Sequence, residues 1–122
     1  MATIVEELVR CEPWLQAALE RAGGTHTITD VVEAVAEGRM QFWPAPRGCA
    51  VTEIIKYPGK KVLHIFLAGG EMDQIVDMDS SAVEFARMNG CTAMTIAGRR
   101  GWAKVLKHKG YEVAHTVLAK EI

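Results

Sequence analysis

The order of apolar and polar positions changes character near residue 39. Before it, Ile4, Val5, Leu8 and Cys11 recur at helical spacing against Glu6, Glu7 and Arg10, which predicts a first amphipathic helix. Glu12-Pro13 interrupts it. Pro13 suits the first turn of a second helix through Trp14, Leu15, Ala18 and Leu19, which stops at Gly23-Gly24. Thr27, with Asp30 in capping-box position, starts a third helix through Ile28, Val31, Val32 and Val35 that Gly38 ends. Three short helices are therefore expected before any strand.

From Met40 the period falls to two. Met40 to Trp43 reads as a short strand ended by Pro44 and Pro46, and Arg47-Gly48 is the turn into Cys49 to Tyr57. In that run Val51, Glu53, Ile55 and Tyr57 share one face, and Thr52, Ile54 and Lys56 the other. Pro58-Gly59-Lys60 turns the chain into Val62 to Ala68, which is apolar on both faces apart from His64 and so reads as a central strand. Gly69-Gly70 closes that strand and opens a helical segment from Glu71 to Asn89, in which Asp79-Ser80-Ser81 caps a new helix or marks a kink. Thr92 to Ala97 is a further strand, Arg99 to Lys109 a last helix, and Tyr111 to Leu118 alternates as a final strand. With no repeat or linker, the expectation is one mixed α/β domain over residues 1–122, helical to about 38 and sheet-bearing from about 39.

Composition narrows the class. A chain of 122 residues with 49% apolar and 24% charged residues is ordinary globular usage, so disorder and low-complexity scaffolds are excluded. The longest stretch without Asp, Glu, Lys or Arg runs from Met88 to Gly98, well short of the roughly 20 residues of a membrane span, and the N-terminal pattern lacks a secretory signal. Cys11, Cys49 and Cys91 are odd in number and form no C-x-x-C pair, which favours reduced thiols in the core and a cytoplasmic setting. No spacing characteristic of a metal site, a P-loop or a nucleophile elbow is present.

The net charge of −1 conceals a gradient: residues 1–40 carry −4, residues 41–98 carry −1 and residues 99–122 carry +4. A basic C-terminal quarter points to a local anionic partner or an intramolecular dipole. Nucleic acid is not the expected partner, because Lys104, Lys107, His108 and Lys109 lack interleaved stacking aromatics.

The element order, with the run Gly98-Arg99-Arg100-Gly101-Trp102, then Val105-Leu106-Lys107, Gly110-Tyr111 and Leu118-Ala119-Lys120-Glu121, resembles the GNAT acyltransferase superfamily. Within it the chain is similar to small phage-encoded GNAT-like proteins, including internal virion proteins. The resemblance implies N-terminal helices, antiparallel strands and then a β-α-β-α-β order with a cleft where two parallel strands splay apart. It further implies an acetyl-CoA-dependent N-acetyltransferase acting on an amine or protein lysine. On that reading Leu67, Ala68, Gly69 and Gly70 form the cofactor edge and turn. The alternative it carries is a catalytically degenerate GNAT-shaped component of a phage particle, located in the host cytoplasm or the virion.

Acyl transfer to an amine requires a base near the amine and donors for an oxyanion. Glu53 and His64 are the candidate bases, on adjacent strands beside the expected cleft; Glu53 on a solvated face and His64 as a satisfied core histidine are the plainer alternatives. Arg99 and Arg100 are the candidate phosphate ligands at a strand-to-helix turn, or else solvated surface charges. Glu71 and Asp73 occupy the first turn after Gly70, where carboxylates stabilise a helix start and repel a pyrophosphate. Counting back from Gly110, the position of the family's tyrosine acid holds Leu106.

Overall fold

The computed structural model of the chain describes residues 2–98 and 100–122, with residue 100 described in its backbone only. Helix α1 (Ile4–Arg21) begins at Thr3, whose side chain accepts the Glu6 N–H, and runs unbroken through Pro13. The two helices expected there are thus one. Cys11, Leu15, Ala18 and Leu19 form a single buried stripe that straddles the proline, while Val9, whose carbonyl loses its helical donor to Pro13, is exposed to solvent. Burial of the stripe outweighs one missing hydrogen bond. Helix α2 (Ile28–Ala36) starts with the predicted capping box between Thr27 and Asp30.

Four strands follow in the order β1-β2-β3-β4: β1 (Met40–Ala45), β2 (Gly48–Lys56), β3 (Lys61–Gly70) and β4 (Ala93–Ile96). The first three form an antiparallel meander, and β4 joins β3 in parallel. Pro44 lies within β1, which tolerates it as an edge strand. The crossover to β4 consists of α3 (Met72–Asp77) and α4 (Asp79–Met88), which divide at Met78. Asp79 does not cap α4; its carboxylate instead accepts the Tyr111 hydroxyl at 2.7 Å.

One face of the sheet packs Met40, Cys49, Val51 and Leu67 against the stripe of α1 and Val31 and Ala34 of α2. On the other, Leu63 meets Ala82 and Ala86 of α4, with Trp43, Phe85 and Met94 around them. The Trp43 ring meets Phe85 edge-on at 5.6 Å, and its indole N–H donates to Thr52 at 2.9 Å, so this tryptophan is spent on packing. All three cysteines are buried and free.

The expected final strand is absent. After α5 (Arg100–Leu106) and a 3₁₀ turn (Lys107–Lys109), Leu106 is buried and Tyr111 half-buried, but Glu112 to Ile122 is irregular and exposed. Val113 and Val117 are 74% and 80% exposed. Alternation specifies a strand only where a partner edge and a face receive it, and neither does here. Among the described residues no helix is long and apolar enough to cross a membrane.

Candidate functional site

The meander places Glu53, His64 and Thr95 in one row across three strands: Glu53 is paired with His64 in the β2–β3 register, and His64 with Thr95 in the β3–β4 register. All three are half-buried. His64 Nδ1 lies 2.8 Å from Thr95 Oγ1, and Nε2 has no hydrogen-bond partner among the described residues. Burial lowers the His64 pKa below the usual histidine value, with the Glu53 charge opposing it. The neutral imidazole is therefore favoured. In the tautomer whose Nδ1–H donates to Thr95 Oγ1, Nε2 keeps its lone pair for an incoming proton.

Pairing between β3 and β4 ends one residue beyond this row, at Ile65 and Ile96. There β3 carries a bulge: across Val51 and Thr52 its partner skips from Leu67 to Ile65, and Phe66 is the additional residue. Beyond it Phe66, Leu67, Ala68, Gly69 and Gly70 remain on the sheet through β2 alone, because no strand continues along their other side among the described residues. Four of the residues expected at a cofactor edge, Leu67 to Gly70, thus lie on a strand edge that β4 leaves uncovered. An extended chain with amide groups can pair with such an edge.

The turn at the end of β3 departs from a phosphate-binding loop. Gly69 and Gly70 belong to the strand itself, and α3 starts two residues later. Gly70 has φ +99°, and a Cβ there would lie 2.4 Å from both Arg47 O and Gly48 Cα. The Glu71 N–H is donated to Arg47 O at 2.8 Å, so that donor is not free for an anion. The carboxylates of Glu71 and Asp73, expected to repel phosphate, are both engaged by the Arg47 guanidinium. The Gln74 side chain closes the latch by accepting the Arg47 N–H at 3.1 Å.

Arg47 and Thr95 are the site residues that the sequence pattern did not single out. The charge complement of Arg47 with Glu71 and Asp73 was visible, but 24 and 26 residues separate them and only strand register brings them together. Arg99 and the side chain of Arg100, the predicted phosphate ligands, lie outside the described residues. Leu106, at the expected acid position, and Tyr111 both line a small apolar hollow with Ile96, Asp79 and Ala82. Burial and the Asp79 hydrogen bond raise the Tyr111 pKa.

No family model matches the sequence, and no curated protein does. Solved structures do resemble the fold. One is a transcriptional regulator from Bacillus halodurans C-125, with TM-score 0.70 and 12% identity over 99% of this chain and 96% of that one. Another is a GNAT family acetyltransferase from Staphylococcus aureus, with TM-score 0.59 and 10% identity over 95% of this chain and 92% of that one. A third is a glucosamine-6-phosphate N-acetyltransferase from Arabidopsis thaliana, with TM-score 0.63 and 11% identity over 94% and 93%. Likeness at these identities shows the fold alone, and that fold is the mixed α/β architecture of the GNAT acetyltransferases.

Proposed function

We propose that the chain is an N-acyltransferase that draws its acyl group from a thioester such as acetyl-CoA and passes it to an amine. The observation that carries this reading is the parting of β3 from β4 beyond Ile65 and Ile96, beside a neutral histidine whose Nε2 is unpartnered among the described residues. The fit to the donor is divided. The uncovered edge from Phe66 to Gly70 suits the amide-bearing arm of a thioester, whereas the turn at Gly70 does not offer a pyrophosphate its usual backbone donors. A bound thioester would supply an activated acyl carbon.

The remaining roles belong to the chain. His64 Nε2 accepts the proton of the acceptor amine, and Thr95 fixes the ring through Nδ1. Glu53, its cross-strand neighbour, stabilises the imidazolium so formed. A panel of amines and a lysine peptide, incubated with acetyl-CoA or acetyl-pantetheine, tests this by release of free thiol. Amine-dependent release is expected. It should fall at least about 100-fold in His64→Gln with the fold intact, and the two donors should differ little because the turn contributes little. No amine-dependent release, or an undiminished His64→Gln, overturns the reading.

The closed turn and Leu106 favour a second reading, a GNAT-shaped interaction component without catalysis; the resemblance of the C-terminal signature extends it to a phage particle. Thiol release that depends on His64 eliminates it. Its positive test is co-purification with particle proteins in the absence of turnover.

A further inference from the structure

A cleft of about 440 Å³ opens on the α1 side of the Gly69-Gly70 turn, and none of the His64 row lines it. Trp14, Ala17 and Arg21, one face of α1, form one wall, and Pro46, Arg47 and Glu71 the other. Its floor is backbone, because Gly69 packs so closely on α1 that a Cβ would lie 2.9 Å from Trp14 Cβ. The volume suits a small organic molecule. Of its two guanidinium groups, Arg47 is held by Glu71 and Asp73, and Arg21 makes no ion pair among the described residues.

We propose that this cleft binds a small organic anion, a carboxylate or phosphate joined to a flat apolar body. Arg21 is its standing cation, Trp14 and Pro46 are the apolar walls, and Arg47 is a second cation released to the ligand from Glu71 and Asp73. An oxyanion accepts two parallel N–H bonds from a guanidinium, as a carboxylate does, so ligand and latch compete for the same group. The Arg47–Glu71 and Arg47–Asp73 pairs are more than half exposed and so cost little to exchange. The Gln74 and Glu71 hydrogen bonds to the Arg47 backbone hold the hairpin in place while its side chain changes partner. The cleft adjoins the Gly69-Gly70 turn of the proposed thioester edge but is walled by α1, and Gly69 lies roughly 17 Å along β3 from His64.

Titration of tryptophan fluorescence with benzoate, phenyl phosphate and neutral benzamide tests the proposal, with Trp14→Phe identifying the reporting ring. At least one anion should bind tenfold or more tightly than benzamide, and which of the two does so assigns carboxylate or phosphate. Arg21→Ala should weaken that binding at least tenfold, and Glu71→Gln with Asp73→Asn should tighten it several-fold by freeing Arg47. His64→Gln should bind as the parent does even if acyl transfer is lost. Equal affinity for benzamide, an unaffected Arg21→Ala, or no tightening in the double variant overturns the proposal; Arg21→Lys and an unchanged melting temperature exclude misfolding as the cause of a loss.

Discussion

Gly70→Ala is the substitution on which the local geometry of the turn makes its sharpest statement. Two costs are built into the position. With φ +99°, an alanine there sits in backbone territory that costs about 1–3 kcal/mol. Its Cβ would also lie 2.4 Å from Arg47 O and Gly48 Cα, both backbone atoms of the β1–β2 hairpin that no rotamer change can move. Relieving that contact displaces the hairpin and strains or breaks the 2.8 Å hydrogen bond from Glu71 N–H to Arg47 O, a loss of about 1–3 kcal/mol. The expected destabilisation is about 2–6 kcal/mol. With 122 residues the unfolding entropy is about 0.26 kcal/mol/K, which converts this to a fall in Tm of about 8–23 °C. Two companion variants separate the terms in the same calorimetric or circular-dichroism melt. Gly23→Ala has φ +87° and nothing within 4 Å, so it bears the backbone cost alone, about 1–2 kcal/mol or 4–8 °C. Gly59→Ala has neither a left-handed φ nor a close neighbour and should hold or raise Tm by about 2–4 °C. If Gly70→Ala melts no lower than Gly23→Ala, the close approach of hairpin and turn is refuted, and with it the latch at Arg47.

Leu67→Ala removes a fully buried side chain between β3 and α1 and should cost about 2–5 kcal/mol in urea unfolding; a loss under about 1 kcal/mol contradicts its place in the core. Because burial lowers the folded-state pKa of His64, the unfolded chain takes up its proton first as pH falls through about 6.5. That contribution is intact above the unfolded value and is lost on acidification, so the parent should lose Tm faster than His64→Gln between about pH 7 and 5; parallel curves contradict the assignment. Removing residues 112–122 should shift Tm by no more than about 2 °C, since these residues are exposed, whereas Tyr111→Phe, which loses the Asp79 hydrogen bond, should cost about 0.5–1.5 kcal/mol. A truncation more damaging than Tyr111→Phe means that the segment is held as a strand after all.

Much of the fold was written in local pattern. The capping box at Thr27 and Asp30, the alternation of β2 and the all-apolar character of β3 each reflect interactions within a few residues, and each was legible. What escaped depends on partners distant in sequence. Pro13 reads as a boundary until Cys11 and Leu15 are seen to face the same core across it. Tyr111 to Leu118 has the period of a strand, but it docks on no edge, the free side of β4 included. The candidate site divides in the same way. Glu53 and His64 carry the chemistry of a base in the sequence itself, and the register places them side by side; Thr95 and Arg47 matter only through that register. The electrostatic conflict foreseen at Glu71 and Asp73 is met within the chain, by a guanidinium from the neighbouring hairpin.

The central claim, that the uncovered edge of β3 receives an acyl thioester beside His64, is tested most directly by backbone amide and imidazole NMR shifts during titration with acetyl-pantetheine. The shifts should concentrate at Phe66 to Ala68 and on the His64 ring, saturating together. Shifts confined to other surfaces, or none at millimolar ligand, contradict it.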